Sequence, residues 1–373
     1  MEKKNRICAY KGDPVVPGVN KKKNGINFAV EVPGDTEASL VLYRKGAAEP
    51  ETEFPFTEEY RTGRMCAMLV TGLRPERYEY NFRIDGKIVQ DPFACVIRGR
   101  EKFGAPLSKD EHEVRCAFLS EKEYDWEGDT APEIPYSEMI LYKIHVRGYT
   151  RQAKLALRKR GTFAGLTEMI PYWKELGINA VELMPAYEFQ ECVQADHAVN
   201  LAVRKKSDDR INYWGYTRGF YFAPKASYCA TKEPDREFRD MIRALHKAGI
   251  ECIMEMYFPK GTPSLQMIRS LWFWKLYYHV DGFHLLGDGV QQDVIERDPI
   301  LYGTKKLFSN VSGEADAENM LAEYNAGFML DMRRFLKSDE GMISGAEFHV
   351  RRNTGNFGTV NYMATQDGFT LYD

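Results

Sequence analysis

Residues 277–289 read YYHVDGFHLLGDG, an apolar strand-like run bounded by turn-formers that holds two groups able to move protons, His284 and Asp288. Strand side chains alternate, so Val280, Gly282, His284 and Leu286 share one face. Asp288 keeps that parity but lies roughly 6.6 Å beyond Leu286 along the strand. Unless a bulge at Gly287 shortens the offset, Asp288 stands at the rim as a turn carboxylate between two glycines. A general acid or base must come within hydrogen-bond reach of its proton, so these residues act together only if the fold gathers them.

Several chemistries lack the residues they need. The seven histidines are dispersed with no HExxH spacing, and the seven cysteines, at 8, 66, 95, 116, 192, 229 and 252, form no CxxC pair. They read as reduced thiols, and no cofactor or metal is expected. Fifty-one basic against fifty-four acidic residues leave a net charge of −3, which argues for neither a nucleic-acid nor a membrane partner. The start MEKKNRICAY lacks the apolar centre of a signal peptide, and no apolar run of about 18 residues follows. A cytoplasmic location is the expectation.

The elements that must position the candidates fall into two patterns. From Gly25 to about Arg98, short alternating segments such as INFAVEV, ASLVLYR and RYEYNFRI are separated by turn clusters, which predicts a small antiparallel β-sandwich over residues 1–100. Residues 101–137, with KEYDWEGD, read as a charged linker in which Trp126 is an anchor. From Glu138 strands alternate with helices, the pattern of βα units around a parallel sheet, so residues 138–373 are expected to be a (β/α)8 barrel. MILYKIHVRGYT, GINAVELMPAYEF, GIECIMEMYF and VDGFHLL are its first four strands. Phe163, Leu166, Ile170 and Trp173 predict one helix; Phe238, Met241, Ile242 and Leu245 predict another; a third begins near Pro263. Beyond them KKLFSN is a short strand, residues 320–337 a helix, and TVNYMATQD a late strand.

VDGFHLL closely resembles the VDGFRFD strand of the alpha-amylase superfamily, glycoside hydrolase family 13. The resemblance spans nearly the whole chain. MILYKIHVRGYT is similar to the family's first strand, Y-E-x-H-V-R-G-x-T, and NYWGYTRGFYFAPKASYCA to its long loop after the second strand, N-Y-W-G-Y-x-P-x-x-F-F-A-P-x-x-x-Y. Tyr78, Tyr80, Asp85, Gly86, Asp91, Pro92 and Phe93 resemble carbohydrate-binding module family 48, which precedes debranching and branching enzymes. That module often packs on the catalytic domain without binding sugar, and structural support is the expectation here.

The resemblance implies a retaining glycosidase with a nucleophilic carboxylate and a general acid about 5 to 5.5 Å apart. Mapped position by position, it places Glu255 on the structural aspartate of the third strand and Pro259 and Lys260 on its Asn-His pair. His284 falls on the arginine of the fourth strand and Leu286 on the nucleophile. KKLFSN puts Asn310 on the general acid, with Glu314 the nearest carboxylate. NYMATQDGFTLYD keeps the stabilising acid as Asp367 and replaces its histidine with Gln366. Tyr142, His145, Tyr213, Trp214 and Tyr216 are the candidate glucan contacts, though the loop aromatics could equally pack against the barrel. Leucine cannot form a glycosyl ester, so the expectation is an α-glucan-binding homologue without activity. The alternatives are an active glycosidase or transglycosidase using Asp288 or Glu314 with Asp367, and a non-catalytic scaffold or gene remnant. Because the final motif belongs to the seventh strand, the barrel is expected to be incomplete at its C-terminus, with an oligomer partner as one way to cover the open edge.

Overall fold

A computed structural model describes residues 6–106, 109–120, 122–192, 211–312 and 316–366. The chain divides into two compact units, one of residues 1–129, 145–169 and 186–244, the other of residues 130–144, 170–185 and 245–373.

Among the described residues of the first unit, period-two patterning yields two larger antiparallel sheets, beside the antiparallel pair Tyr187–Phe189 and Gly219–Pro224. One orders Cys8–Lys11, Met65–Thr71, Gly25–Glu31 and Gly18–Lys22; the other orders Val96–Arg98, Arg115–Ala117, Tyr78–Ile84, Ala38–Arg44 and Thr52–Pro55. Phe28, Val30, Met68 and Val70 of the first sheet and Leu40, Leu42, Tyr80 and Phe82 of the second are buried in a single apolar core. Residues 115–117, within the stretch expected as linker, supply a strand to the second sheet. Tyr124 fastens the rest of that stretch, its hydroxyl donating to Asp240 Oδ1 at 2.7 Å and its ring packing edge-on to Trp126.

Among the described residues the second unit is built on seven strands: β1 (Leu141–Ile144), β2 (Ala180–Leu183), β3 (Glu251–Tyr257), β4 (Gly282–Leu286), β5 (Lys305–Phe308), β6 (Leu321–Tyr324) and β7 (Gly358–Val360). Each pairs in parallel with the next, so spatial order equals chain order, the order that successive βα units produce. The architecture is an incomplete (β/α)8 barrel. Helices α1 (Pro234–Lys247) and α2 (Ser264–Tyr278) precede β3 and β4, while α3 (Ala326–Leu336) and α4 (Ile343–Arg351) lie between β6 and β7 in the chain. No helix among the described residues is long and apolar enough to cross a membrane.

Two helix expectations need correction, and two strands are shorter than expected, GINAVELMPAYEF giving Ala180–Leu183 to this sheet and TVNYMATQD lying at the end of Gly358–Val360. Residues 320–337 do not form one helix: Leu321–Tyr324 is β6, and α3 starts only after Asn325, whose side chain accepts from Phe328 N–H as an N-cap. The stripe from Phe163 to Trp173 is two short helices, Phe163–Thr167 and Ile170–Glu175. Pro171 has no N–H to bond back to Thr167, and its ring would clash with that carbonyl, so a continuous helix is disfavoured.

Inside the sheet, alternation stacks two layers. Ile253, Leu307 and Ala322 form an apolar floor against which Leu141, Tyr324 and Val360 pack. Two residues further along their strands, on the same face, come Lys143 after Leu141, Glu182 after Ala180, Glu255 after Ile253, His284 after Gly282 and Tyr324 after Ala322. The polar layer is thus set by strand parity.

Candidate active site

The polar layer is where the family's chemistry is expected, and its side chains are engaged with one another. His284 Nδ1 donates to Glu182 Oε1 at 2.8 Å and lies 3.5 Å from Glu255 Oε1. The Tyr324 hydroxyl donates to Glu182 Oε2, and its ring stacks on His284 with centroids 4.1 Å apart and planes 1° from parallel. Lys143 Nζ pairs with Glu255 Oε1 and stands 3.8 Å from Glu182 Oε1. Both glutamates have side chains with 0% exposure. Each carboxylate is thus paired with Lys143, with His284 or with both, which is how buried charges are tolerated.

The proton affinities follow from these partners. Burial disfavours a charged His284, but Glu182 and Glu255 outweigh it and raise the ring's pKa above the ordinary histidine value. Burial alone would raise the Glu182 pKa; His284 and Lys143 instead hold that carboxyl well below its usual range. Burial, reinforced by Glu182, pushes the Tyr324 hydroxyl well up. Lys143, Glu182 and Tyr324 escaped the sequence reading, which followed motif positions. A usable signal was present: an acid inside the doubly buried strand AVEL demands a cation on a neighbouring strand.

The remaining candidates are spread out. Leu286 ends β4 with its parity toward the interior, in unbroken register with Tyr257 of β3. The chain then turns at Gly287, φ +96°, where an added Cβ would stand 2.4 Å from the Phe258 carbonyl oxygen. Gly289 N–H donates to that same oxygen at 2.8 Å, and Asp288 is carried outward, exposed on the turn. Asn310 is likewise exposed, in the bend after β5. Tyr142 has the opposite parity to Lys143 on β1 and so faces away from the polar layer. Gln366 accepts from the Thr365 hydroxyl at 2.8 Å. Asp367 and Glu314 lie outside the described residues.

In the first unit His145, Tyr213 and Trp214 do come together. His145 caps the short helix Val146–Thr150: Gly148 N–H donates to Nδ1 at 2.9 Å. Nδ1 is therefore the lone-pair nitrogen, and Nε2–H donates to the Tyr213 carbonyl at 3.0 Å, with the Tyr228 hydroxyl also 3.0 Å away. The Tyr213 ring stacks on the imidazole at 4.4 Å, and Trp214 meets it edge-on at 5.5 Å. Burial lowers the His145 pKa to about 4, so the ring is neutral. The loop is held by Asn212, whose side chain accepts from Gly215 N–H, and by Gly215 itself, φ +86°, against the Phe189 ring. Trp214 keeps 40% exposure, which leaves an aromatic surface open to solvent; Tyr216 is half-buried.

No family model matches the chain. It is 26% identical over 491 residues to chloroplastic isoamylase 1 of Arabidopsis thaliana, covering 100% of this chain and 62% of that protein. Against the glycogen operon protein GlgX homolog of Haemophilus influenzae it is 26% identical over 461 residues, covering 97% of this chain and 67% of that protein. The chain is a relative of the debranching enzymes of glycoside hydrolase family 13. It spans between 58% and 67% of the length of such curated relatives. Among solved structures, the apo pullulanase of Paenibacillus barengoltzii superposes with a TM-score of 0.71 at 18% identity, covering 96% of this chain and 67% of that one. That likeness shows the shared fold; the same pullulanase has also been crystallised with maltohexaose and alpha-cyclodextrin.

Proposed function

We propose that this chain binds α-glucans without hydrolysing them. The observation that carries the reading is the combination at β4: leucine stands at the nucleophile position, while His284 beside it is consumed by an internal pair with Glu182. A retaining mechanism needs two carboxyl groups about 5 to 5.5 Å apart flanking a sugar. Glu182 and Glu255 are sealed in the barrel interior and already paired with Lys143 and His284. Asp288, the substitute nucleophile, is turned outward to solvent, and Asn310 cannot act as an acid.

Binding is assigned to the exposed aromatic group around Trp214 and Tyr213, with His145 neutral beneath it. The relatives named isoamylase and the pullulanase crystallised with maltohexaose support α-glucans as the ligand class. Residues 1–100 are proposed to be a module of the family 48 type with a supporting role.

Calorimetry with maltoheptaose, glycogen and pullulan, paired with reducing-sugar release on the same samples, tests this. Binding without turnover is expected, and Trp214→Ala should weaken it at least about tenfold, the loss of one good aromatic contact. Turnover abolished by Asp288→Asn or Asp367→Asn would overturn the reading and establish a rearranged acid pair. Neither binding nor turnover would leave a scaffold or gene remnant.

A further inference from the structure

Among the described residues, Glu182, Glu255 and His284 offer ligand atoms that all lie within 4.8 Å of one another. The donors project from the adjacent strands β2, β3 and β4, so the backbone ladder rather than loop chemistry sets their spacing. His284 Nδ1 is 2.8 Å from Glu182 Oε1 and 3.5 Å from Glu255 Oε1. A tetrahedral ion with bonds of about 2.0–2.2 Å needs donors about 3.3–3.6 Å apart, a value inside the range these residues span. Imidazole with carboxylate suits a borderline ion such as Zn2+, whereas Mg2+ and Ca2+ ask for six or more oxygens.

Two further observations point to a displaceable cation. His284 is buried and its Nε2 has no hydrogen-bond partner among the described residues, so its polar contacts are concentrated at Nδ1, which faces both carboxylates. Lys143 retains 22% side-chain exposure, against 0% for the glutamates and 5% for His284, so it has a route to solvent that they lack.

We propose that Glu182, Glu255 and His284 form a site for one Zn2+-like divalent cation, with Lys143 standing in for that ion in its absence. Without the ion, the two carboxylates are paired with the Lys143 ammonium and with the Nδ1–H of His284. With it, they face two positive charges on the metal; His284 gives up its Nδ1 proton to water and coordinates as neutral imidazole, while the Lys143 ammonium moves out to solvent. Tyr324 stays on Glu182 and orients that ligand. The motif search expected no metal because three separate strands supply one ligand each, which leaves no local spacing to find.

Zinc titration of the full chain by calorimetry, with native mass spectrometry for stoichiometry, decides the matter. The expected result is one Zn2+ per chain, not displaced by excess Mg2+. Lys143→Met removes the internal competitor and keeps all three ligands, so it should bind zinc at least about tenfold tighter. His284→Gln, checked for folding by circular dichroism, should bind at least about tenfold more weakly. The proposal is overturned if neither wild type nor Lys143→Met binds zinc one to one, or if His284→Gln leaves affinity unchanged. Should His284→Gln not fold, Lys143→Met decides alone: affinity equal to or weaker than wild type refutes the site.

Discussion

His145 in the first unit and His284 in the second are equally hidden, at 6% and 4% exposure, yet they hold protons in opposite ways. His145 lies among aromatic rings and backbone groups. Burial disfavours a positive charge, the bond to the Tyr213 carbonyl offsets only part of that, Arg147 and Lys225 add to the opposition, and the pKa falls to about 4. His284 lies between two carboxylates, which raise its pKa despite the same desolvation. Burial pushes both histidines toward the neutral form, and only carboxylate neighbours reverse that push. One cluster is held by neutral hydrogen bonds and stacked rings, the other by compensated charge, and the two should fail under different insults.

The largest effect is expected from uncompensating the charged cluster. Glu182→Gln keeps one acceptor oxygen for His284 and the Tyr324 hydroxyl but sets an NH2 donor against the other and removes the negative charge that Lys143 and His284 face, at a cost of about 3–5 kcal/mol in urea unfolding. Glu255→Gln should cost less, because Lys143 can carry its charge to solvent. If the two cost the same, the distinction between trapped and mobile partners is wrong.

Acid should break the neutral cluster next. The His145 pKa is about 4 in the fold against 6.5 ordinarily, so between those values the unfolded chain binds more protons than the folded one. Stability should be intact above pH 6.5 and fall by up to about 3 kcal/mol as pH drops toward 4. Denaturant midpoints of wild type and His145→Asn at pH 7 and pH 5 measure this. The variant should be weaker at pH 7 but lose less on acidification, and equal acid losses in both would remove His145 as the cause.

How much of this was legible in the sequence depended on whether an element's signal was local. The β4 run and α2 could be read because an apolar stretch is closed on each side by turn residues and by Pro263. The four-residue β6 could not be told from the first turn of the helix after it, since so short an apolar run fits both periods. The site divides the same way. His284 and Glu255 stood out by motif position. Lys143 and Tyr324 enter only because β1 and β6 belong to the same sheet, and that pairing is tertiary. Parity alone would have placed Lys143 above Leu141 and Tyr324 above Ala322, given the strands.

The same chemical change made in each cluster sharpens the contrast. Tyr324→Phe deletes a hydroxyl bonded to a carboxylate and should cost about 1.5–3 kcal/mol, with the stack on His284 kept. Tyr228→Phe deletes one bonded to a neutral imidazole and should cost about 0.5–1.5 kcal/mol. Equal losses would mean that charge adds nothing to the first bond.

Trp214→Ala should have the smallest effect on stability and the most selective one on function. At 40% exposure the indole contributes edge contacts to His145 and Tyr213 but seals little of the core, so its removal should move the unfolding free energy by about 0.5 kcal/mol or less. The His145 hydrogen bonds run to Gly148, Tyr213 and Tyr228, none of them through Trp214, and so the acid transition should keep its position. Maltoheptaose affinity should nonetheless fall at least about tenfold, because an exposed ring supported from below is the surface a sugar face can cover. A shifted acid transition with unchanged affinity would assign Trp214 to packing and return the neutral cluster to a purely structural role.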